Sequence, residues 1–540
     1  MTKPFATVLE ASTSLGNKTG SWRTKRPEYA QSTSPCNAAC PAGENVRLWL
    51  TLAKAGKFYE AWKIITKDNP FPATMGRVCY HNCEKVCNRE SFDEAVNISA
   101  IERSIGDMAI AQAWSFENVT TNSGKKVLVI GGGPSGLAAA YFLKMLGHNV
   151  AVYESHLKAG GMMRYGVPRY RLSRRVIDAE IRRIENVGVK VICQKKITDI
   201  NAEVDDFDAV YLAIGAHKAS QTDIEIKNKP NIIDAVDLFK KVEDDFTNFL
   251  NIGNKVFVYG GGNTAIDAAR TALRLGAQSV KIIYRRTIRQ MPAHATEINE
   301  ALAEGIEILC LRTISSIDGG KVFVNKMNYD EERDVLTLSE ETEILHADSV
   351  IFAIGQSVDV SILNGVKNIK ISEKGVIEID KNMATGVTGV FAGGDVASRK
   401  RTITNAIGHA KKAAVCIDAY LRSTTYPLDV KEEVTHFKKL NVVYFKKSAR
   451  ITALELQNIS FEEKNISYSE KKLMTEASRC FSCGSCSHCD NCYGYCPDNA
   501  IVKRADGSLE MNYDYCKGCG ICATECPCGV IKMVPNDKTF

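Results

Sequence analysis

The chain has 540 residues, 45% of them hydrophobic and 24% charged, with a formal net charge of +6. That length exceeds one hydrophobic core and calls for three or four domains. The composition is that of a globular protein, and so mild a charge gives little support for nucleic-acid or membrane binding. There is no apolar run of about 18 residues, so no membrane span is expected. The opening MTKPFATVLEASTSLGNKTGSW lacks the apolar core of a secretory signal, and the expected location is the cytoplasm.

Nineteen cysteines are unevenly placed: five lie in 36–87, eleven in 480–528, and only Cys193, Cys310 and Cys416 between. A disulfide scaffold is usually a small secreted domain. Clustered cysteines in a long chain without a signal argue for metal instead.

In chain order, residues 1–120 read as a helical domain carrying cysteines. NVRLWLTLAKAGKFYEAWKIITKDNP has helical periodicity and stops at Pro70. Residues 121–250 read as the first part of an FAD-binding domain, 251–380 as an NAD(P)H-binding domain, and 381–425 as the second FAD part. Alternating strands, helices and glycine turns give this stretch an α/β character. Residues 426–475 read as a charged linker with short helices, and 476–540 as a cysteine domain with one internal repeat.

The first glycine turn lies in KKVLVIGGGPSGLAAAYFLKMLGHNVAVYE. Gly131, Gly133 and Gly136 form G-x-G-x-x-G around Pro134 and Ser135, between a buried strand and an apolar helix. Such glycines let the backbone approach a pyrophosphate at a helix N-terminus. Glu154 ends the next strand, placed to accept hydrogen bonds from a ribose diol.

The second turn, NKVFVYGGGNTAIDAARTALRLGAQSVKIIYRR, repeats the plan with Gly260, Gly262 and Ala265 around Asn263 and Thr264. Its second strand ends in Arg285 and Arg286 instead of an acid, which favours a 2′-phosphate and hence NADP(H). Gly355 is assigned to the same site. Two such turns point to a flavoprotein with FAD at the first. TGVFAGGDVA places Asp395 after a strand and a glycine turn, and TITNAIGHAKKAA, with Thr404 and Ala406, is the helix beyond it. Residues 125–425 hold no paired redox cysteines, so dithiol chemistry at the flavin is not expected.

At the C-terminus, Cys486, Cys489, Cys492 and Cys496 follow C-x2-C-x2-C-x3-C-P, and Cys516, Cys519, Cys522 and Cys526 repeat it. In two-cluster ferredoxins the fourth cysteine of each run serves the other cluster. The expected sets are therefore Cys486, Cys489, Cys492 with Cys526, and Cys516, Cys519, Cys522 with Cys496. Zinc prefers separated cysteine pairs and fits these runs poorly. Cys528 is left over. Near the N-terminus Cys36, Cys40, Cys79, Cys83 and Cys87 are too many for one cubane and too few for two.

The ordered motifs C-x3-C-P, G-R-V-C-x3-C-x3-C, the first glycine turn, GGMMRYGVPRYRL (160–172) and YRRT…QMPA resemble the small subunit of glutamate synthase. Its relatives are the N-terminal half of dihydropyrimidine dehydrogenase and the large subunit of NADH-dependent ferredoxin:NADP oxidoreductase. The resemblance spans 30–485. It implies flavin contacts at Gly161, Met162, Arg164, Gly166 and Val167, and two [4Fe–4S] clusters in the N-terminal domain. One would be held by Cys40, Cys79, Cys83 and Cys87. The other begins in that family with an R-C-x2-C-G motif before the first cysteine pair. Here that motif stands at Arg479–Gly484, so Cys480 and Cys483 are expected to fold back to Cys36, with Glu102 of VNISAIE as fourth ligand. A neighbouring subunit is the other destination for Cys480 and Cys483.

The implied fold is a multidomain α/β protein: a helical iron–sulfur domain, two Rossmann-like domains for FAD and NADPH, and a bacterial-type ferredoxin domain. The implied function is an NAD(P)H:acceptor oxidoreductase subunit passing electrons between NADPH, FAD and four [4Fe–4S] clusters, to or from a ferredoxin or a partner catalytic subunit. A subunit of an electron-bifurcating NADPH/ferredoxin/NAD transhydrogenase is one alternative, and an inactive iron–sulfur scaffold another.

Overall fold

The computed structural model describes residues 18–200, 206–220, 222–228, 231–245, 251–364, 366–426, 433–452, 459–463 and 467–536. Parts of the predicted linker, 427–432, 453–458 and 464–466, lie outside the described residues, as does 1–17 of the helical domain.

Two five-stranded parallel sheets form the centre. The first runs Val390–Ala392, Ala209–Leu212, Lys126–Ile130, Asn149–Tyr153, Lys190–Ile192. Its central strand is buried from Val127 to Ile130, as a parallel strand covered on both faces must be. Helices Pro134–Met145 and Ile403–Leu421 pack together on it.

The second sheet runs Glu307–Cys310, Ser279–Tyr284, Lys255–Tyr259, Ser349–Phe352, Asn231–Asp234. It recruits Asn231–Asp234 from within the 121–250 segment, because that strand pairs in parallel with Ser349–Phe352. A meander of Arg312–Asp318, Lys321–Asp330 and Val335–His346, joined by Glu225–Lys227, backs this sheet. The chain leaves and re-enters the unit of the first sheet side by side, where Lys218–Ala219 pairs with Gln356–Ser357.

The N-terminal helices Val46–Lys54, Phe58–Thr66, Pro72–Val78 and Ile98–Ala111 bury Trp49, Trp62, Ile65 and Phe71. Asn45 and Asn97 cap two of them through their side-chain oxygens, which accept from Leu48 and Ala100 N–H groups. Gly76 and Gly106 let the last two helices touch backbone to backbone: a Cβ on either would lie 2.3 Å from a main-chain nitrogen of the other helix.

The two chain ends are exchanged. Lys25–Tyr29 pairs antiparallel with Ile531–Pro535, Tyr29 opposite Ile531, and so supplies a strand to the C-terminal cysteine module. In return, helix Glu470–Ala477 packs on Val46–Lys54, and Arg479 is buried against Glu476 and Asp93. The segment 476–540 is therefore not self-contained. Among the described residues no helix is long and apolar enough to cross a membrane.

Candidate functional site

A cavity of 360 Å³ opens at the first glycine turn, between the two sheets. Gly131, Gly133, Pro134, Ser135, Glu154, Gly161, Met162, Asp395 and Ala406 line it, and no cysteine does. Gly131 has φ +108°, and a Cβ there would stand 2.4 Å from the Ala213 carbonyl oxygen. A Cβ on Gly136 would lie 1.8 Å from the Gly131 oxygen. The helix begins at Gly133 without a side-chain cap, so its first N–H groups are left for a bound anion. Glu154 accepts from Gly132 N at 2.7 Å and His156 N at 2.8 Å, which fixes its carboxylate at the cavity wall. Asp395 is pushed up to about 6 by burial, with the Arg401 charge pulling the other way.

Several expected residues stand behind this wall. Gly136, Arg164, Gly166, Val167 and Thr404 are not among its lining. Arg164 is buried, donating from Nε to the Ala159 carbonyl and pairing with Asp178 and Glu243. It braces the 160–172 segment, as does Arg174, which donates to the Arg164 and Val167 carbonyls. His217, Lys240 and Arg401 do line the cavity, and no motif announced them.

At the second turn Gly260 has φ +153°, and a Cβ there would meet the Ala353 oxygen at 2.4 Å. A Cβ on Gly262 would meet nothing within 4 Å, so this turn opens to space. Ala265 is fully buried, Asn263 accepts from His294 N at 2.8 Å, and Thr264 reaches the flavin-side cavity. Arg285 and Arg286 are exposed at the strand end and form no ion pair among the described residues. Gly355 sits at the crossover, its carbonyl accepting from Ser220 N.

The cysteines gather into separate groups. Cys486, Cys489, Cys492 and Cys526 line one small cavity, and Cys496, Cys516, Cys519 and Cys522 another, the crossed arrangement expected from the repeat. Cys528 also lines the first and is held by Ser487. A third cavity is lined by Cys36, Cys87, Cys480 and Cys483. Cys480 and Cys483 thus do fold back to Cys36 within one chain.

The fourth cysteine of that cavity is Cys87, and Glu102, expected there, is not among its lining. The short helix Asn82–Lys85 ends before Cys87, whose backbone is extended. Glu102 is buried on the side of Cys79, held by Asn69 Nδ2 at 2.9 Å. Burial and the neighbouring Glu44 raise its carboxyl well above the usual range. Cys40, Cys79 and Cys83 lie close enough that each charge bears on a neighbouring thiol. Burial pushes Cys79 up to about 11 and Cys36 to about 12, so iron must displace their protons to bind. Among the described residues no three His, Cys, Asp or Glu side chains converge as a single metal ion requires. The cysteine sets stand around cavities instead, as ligands of a multinuclear cluster do.

The cysteine and nucleotide sites meet. Helix Ile403–Leu421 lines the flavin-side cavity with Ile403 and Ala406, while its Thr404 Oγ1 stands 3.2 Å from Cys79 Sγ. One turn on, Gly408 lets the helix rest on the Cys40–Pro41 turn, since a Cβ there would be 2.0 Å from the Pro41 oxygen.

Two nucleotide-binding α/β units packed on cysteine arrays define a pyridine-nucleotide oxidoreductase of the flavin and iron–sulfur type. The sequence profile of the pyridine nucleotide-disulphide oxidoreductases matches residues 125–410, that of the dihydropyrimidine dehydrogenase domain II 4Fe-4S cluster residues 24–114, and a 4Fe-4S binding domain residues 509–532. The glutamate synthase [NADPH] small chain of Azospirillum brasilense is 31% identical over 72% of this chain and 86% of that one. The NADP(+)-dependent formate dehydrogenase subunit beta of Moorella thermoacetica is 32% identical over 84% of this chain and 70% of that protein. The NADPH-Fe(3+) oxidoreductase subunit beta of Geobacter sulfurreducens is 28% identical over 84% and 75%. The chain belongs to the glutamate synthase small-chain family.

Proposed function

We propose that this chain is the NADPH-facing subunit of a redox complex, carrying electrons between a nicotinamide and a partner catalytic subunit or ferredoxin. The contact between Thr404 and Cys79 carries this reading, because it joins the flavin-side cavity to the nearest cysteine group through one helix. FAD would be held by Gly131, Gly133, Pro134, Ser135 and Glu154, with Asp395 and Ala406 across the cavity. NADPH would lie on Gly260, Gly262 and Thr264, its 2′-phosphate between Arg285 and Arg286. A bound flavin exchanges electron pairs with a nicotinamide and single electrons with iron–sulfur clusters.

The chain's own residues orient this exchange. Thr264 lines the cavity that Ser135 and Asp395 share, so the second turn delivers its ligand to the first. Four [4Fe–4S] clusters would be ligated by Cys40, Cys79, Cys83 and Glu102; by Cys36, Cys87, Cys480 and Cys483; by Cys486, Cys489, Cys492 and Cys526; and by Cys496, Cys516, Cys519 and Cys522. Cys483 and Cys486 are three residues apart, which limits their Cα atoms to about 11 Å. The second and third sets are therefore neighbours, and the order runs from Thr404 outward to the exposed Cys489 and Cys519. Relatives named as subunits support a hetero-oligomeric assembly.

Iron analysis tests the wiring. The full chain, loaded anaerobically, should hold about sixteen irons, four per cubane. Cys480→Ser with Cys483→Ser should lose about four, and its remaining clusters should be reduced more slowly by NADPH. An undiminished iron content in the double variant would overturn the exchange of ligands between the chain ends.

A further inference from the structure

The strand Lys25–Tyr29 does more than complete a sheet. Residues two apart on a strand share a face, and here Pro27 lines the Cys496, Cys516, Cys519 and Cys522 cavity while Tyr29 lines the Cys486, Cys489, Cys492 and Cys526 cavity. One segment from the N-terminus thus walls both C-terminal sites. Besides its pairing with Ile531–Pro535, it is held by Tyr513, which donates to the Pro27 carbonyl at 2.8 Å, and just before the strand Gly20 N donates to the Asp514 carbonyl at 2.9 Å. The two contacts differ in kind. Pro27 brings no donor. The Tyr29 hydroxyl stands 3.3 Å from Cys492 Sγ.

We propose that Tyr29 tunes the third cluster from the opposite end of the chain: its hydroxyl donates to the Cys492 sulfur and makes that cluster easier to reduce. This rests on the reading of Cys486, Cys489, Cys492 and Cys526 as a ligand set. A metal-bound thiolate carries no proton, so the hydroxyl is the donor. Its positive end faces the sulfur and stabilises the extra negative charge of the reduced cluster, as hydrogen bonds to cluster sulfurs do. Tyr29 is a positioning and tuning residue, and its neighbour Pro27 leaves the last cluster without the same help.

The test is an EPR-monitored redox titration of the full iron-loaded chain with Tyr29→Phe. Iron content should stay unchanged, and one cluster's reduction constant should fall by up to tenfold, about 59 mV for a one-electron couple. The Pro27-lined cluster should not move. An unshifted potential with full iron overturns the proposal. Should Tyr29→Phe lose iron, 3,5-difluorotyrosine at position 29, a stronger donor of the same shape, must raise the potential; no rise overturns it. Cys492→Ala separates the two layers. Loss of one EPR species supports the ligand set, whereas retention of every species overturns that set and the tuning with it.

Discussion

The two glycine turns are built on one plan and end as different sites. At the first, the following helix is buried from Ser135 through Leu143, and Gly161 closes over Gly133, where a Cβ would come within 2.6 Å of its Cα. The acid at the strand end is buried and hydrogen-bonded. At the second, Gly262 faces open space and the strand ends in two exposed arginines. The first arrangement suits a nucleotide that stays, the second one that comes and goes. The same backbone device therefore serves a resident or a visiting ligand according to what packs across it.

The largest expected effect that would sharpen this contrast is at Gly136. Gly136→Ala drives a methyl into the Gly131 carbonyl, so the purified chain should carry no flavin absorbance. Gly262→Ala meets no protein atom and should keep its flavin while losing NADPH affinity, measured by titration. Equal flavin loss in both variants would break the distinction.

Next come the arginines. Arg285→Ser with Arg286→Ser removes charge-assisted contacts worth about 1.5–3 kcal/mol each. The ratio of kcat/KM for NADPH over NADH should fall by roughly a hundredfold or more, with flavin content unchanged. An unaltered ratio would show that neither arginine contacts the 2′-phosphate.

The smallest effect is at Asp395. Burial raises its carboxyl from the usual 3.8 to about 6, so the folded apo chain binds this proton more tightly than the unfolded chain. Its contribution to stability is full below pH 3.8 and is lost as pH rises through about 6. Asp395→Asn removes that loss. The apo variant should melt a few degrees above wild type at neutral pH, with the gap closing toward pH 4, and should retain FAD less well. A gap independent of pH would show that Asp395 is not the titrating group.

Much of the site was legible in the residues. The glycine spacings placed both turns. The repeat C-x2-C-x2-C-x3-C gave the crossed ferredoxin sets, because such short spacings bind chain geometry to cluster geometry. Arg164, expected at the flavin, stands behind the cavity wall in ion pairs with Asp178 and Glu243, and a buried arginine in ion pairs and one facing a ligand look alike in sequence. Cys87 shares the regular spacing of Cys79 and Cys83, which suggests one ligand set, but the short helix that holds Cys83 stops before it and Cys87 lines the cavity of Cys36, Cys480 and Cys483.

Every part whose chemistry is local could be read from the residues: the glycine turns, the arginines that follow the second, and the cysteine runs. How the ends of the chain meet depends on packing across the whole molecule. KRPEY is short, charged and broken by a proline, so nothing in it predicts a strand. It becomes one because Ile531–Pro535 offers an unpaired edge that can satisfy its backbone hydrogen bonds. Cys480 and Cys483 are expected beside Cys36 only through the family resemblance of the Arg479–Gly484 motif; that Cys87 joins them follows from helix Glu470–Ala477 packing on Val46–Lys54, a contact between segments more than 400 residues apart. Pairings of that reach are set by the surfaces that folding brings together.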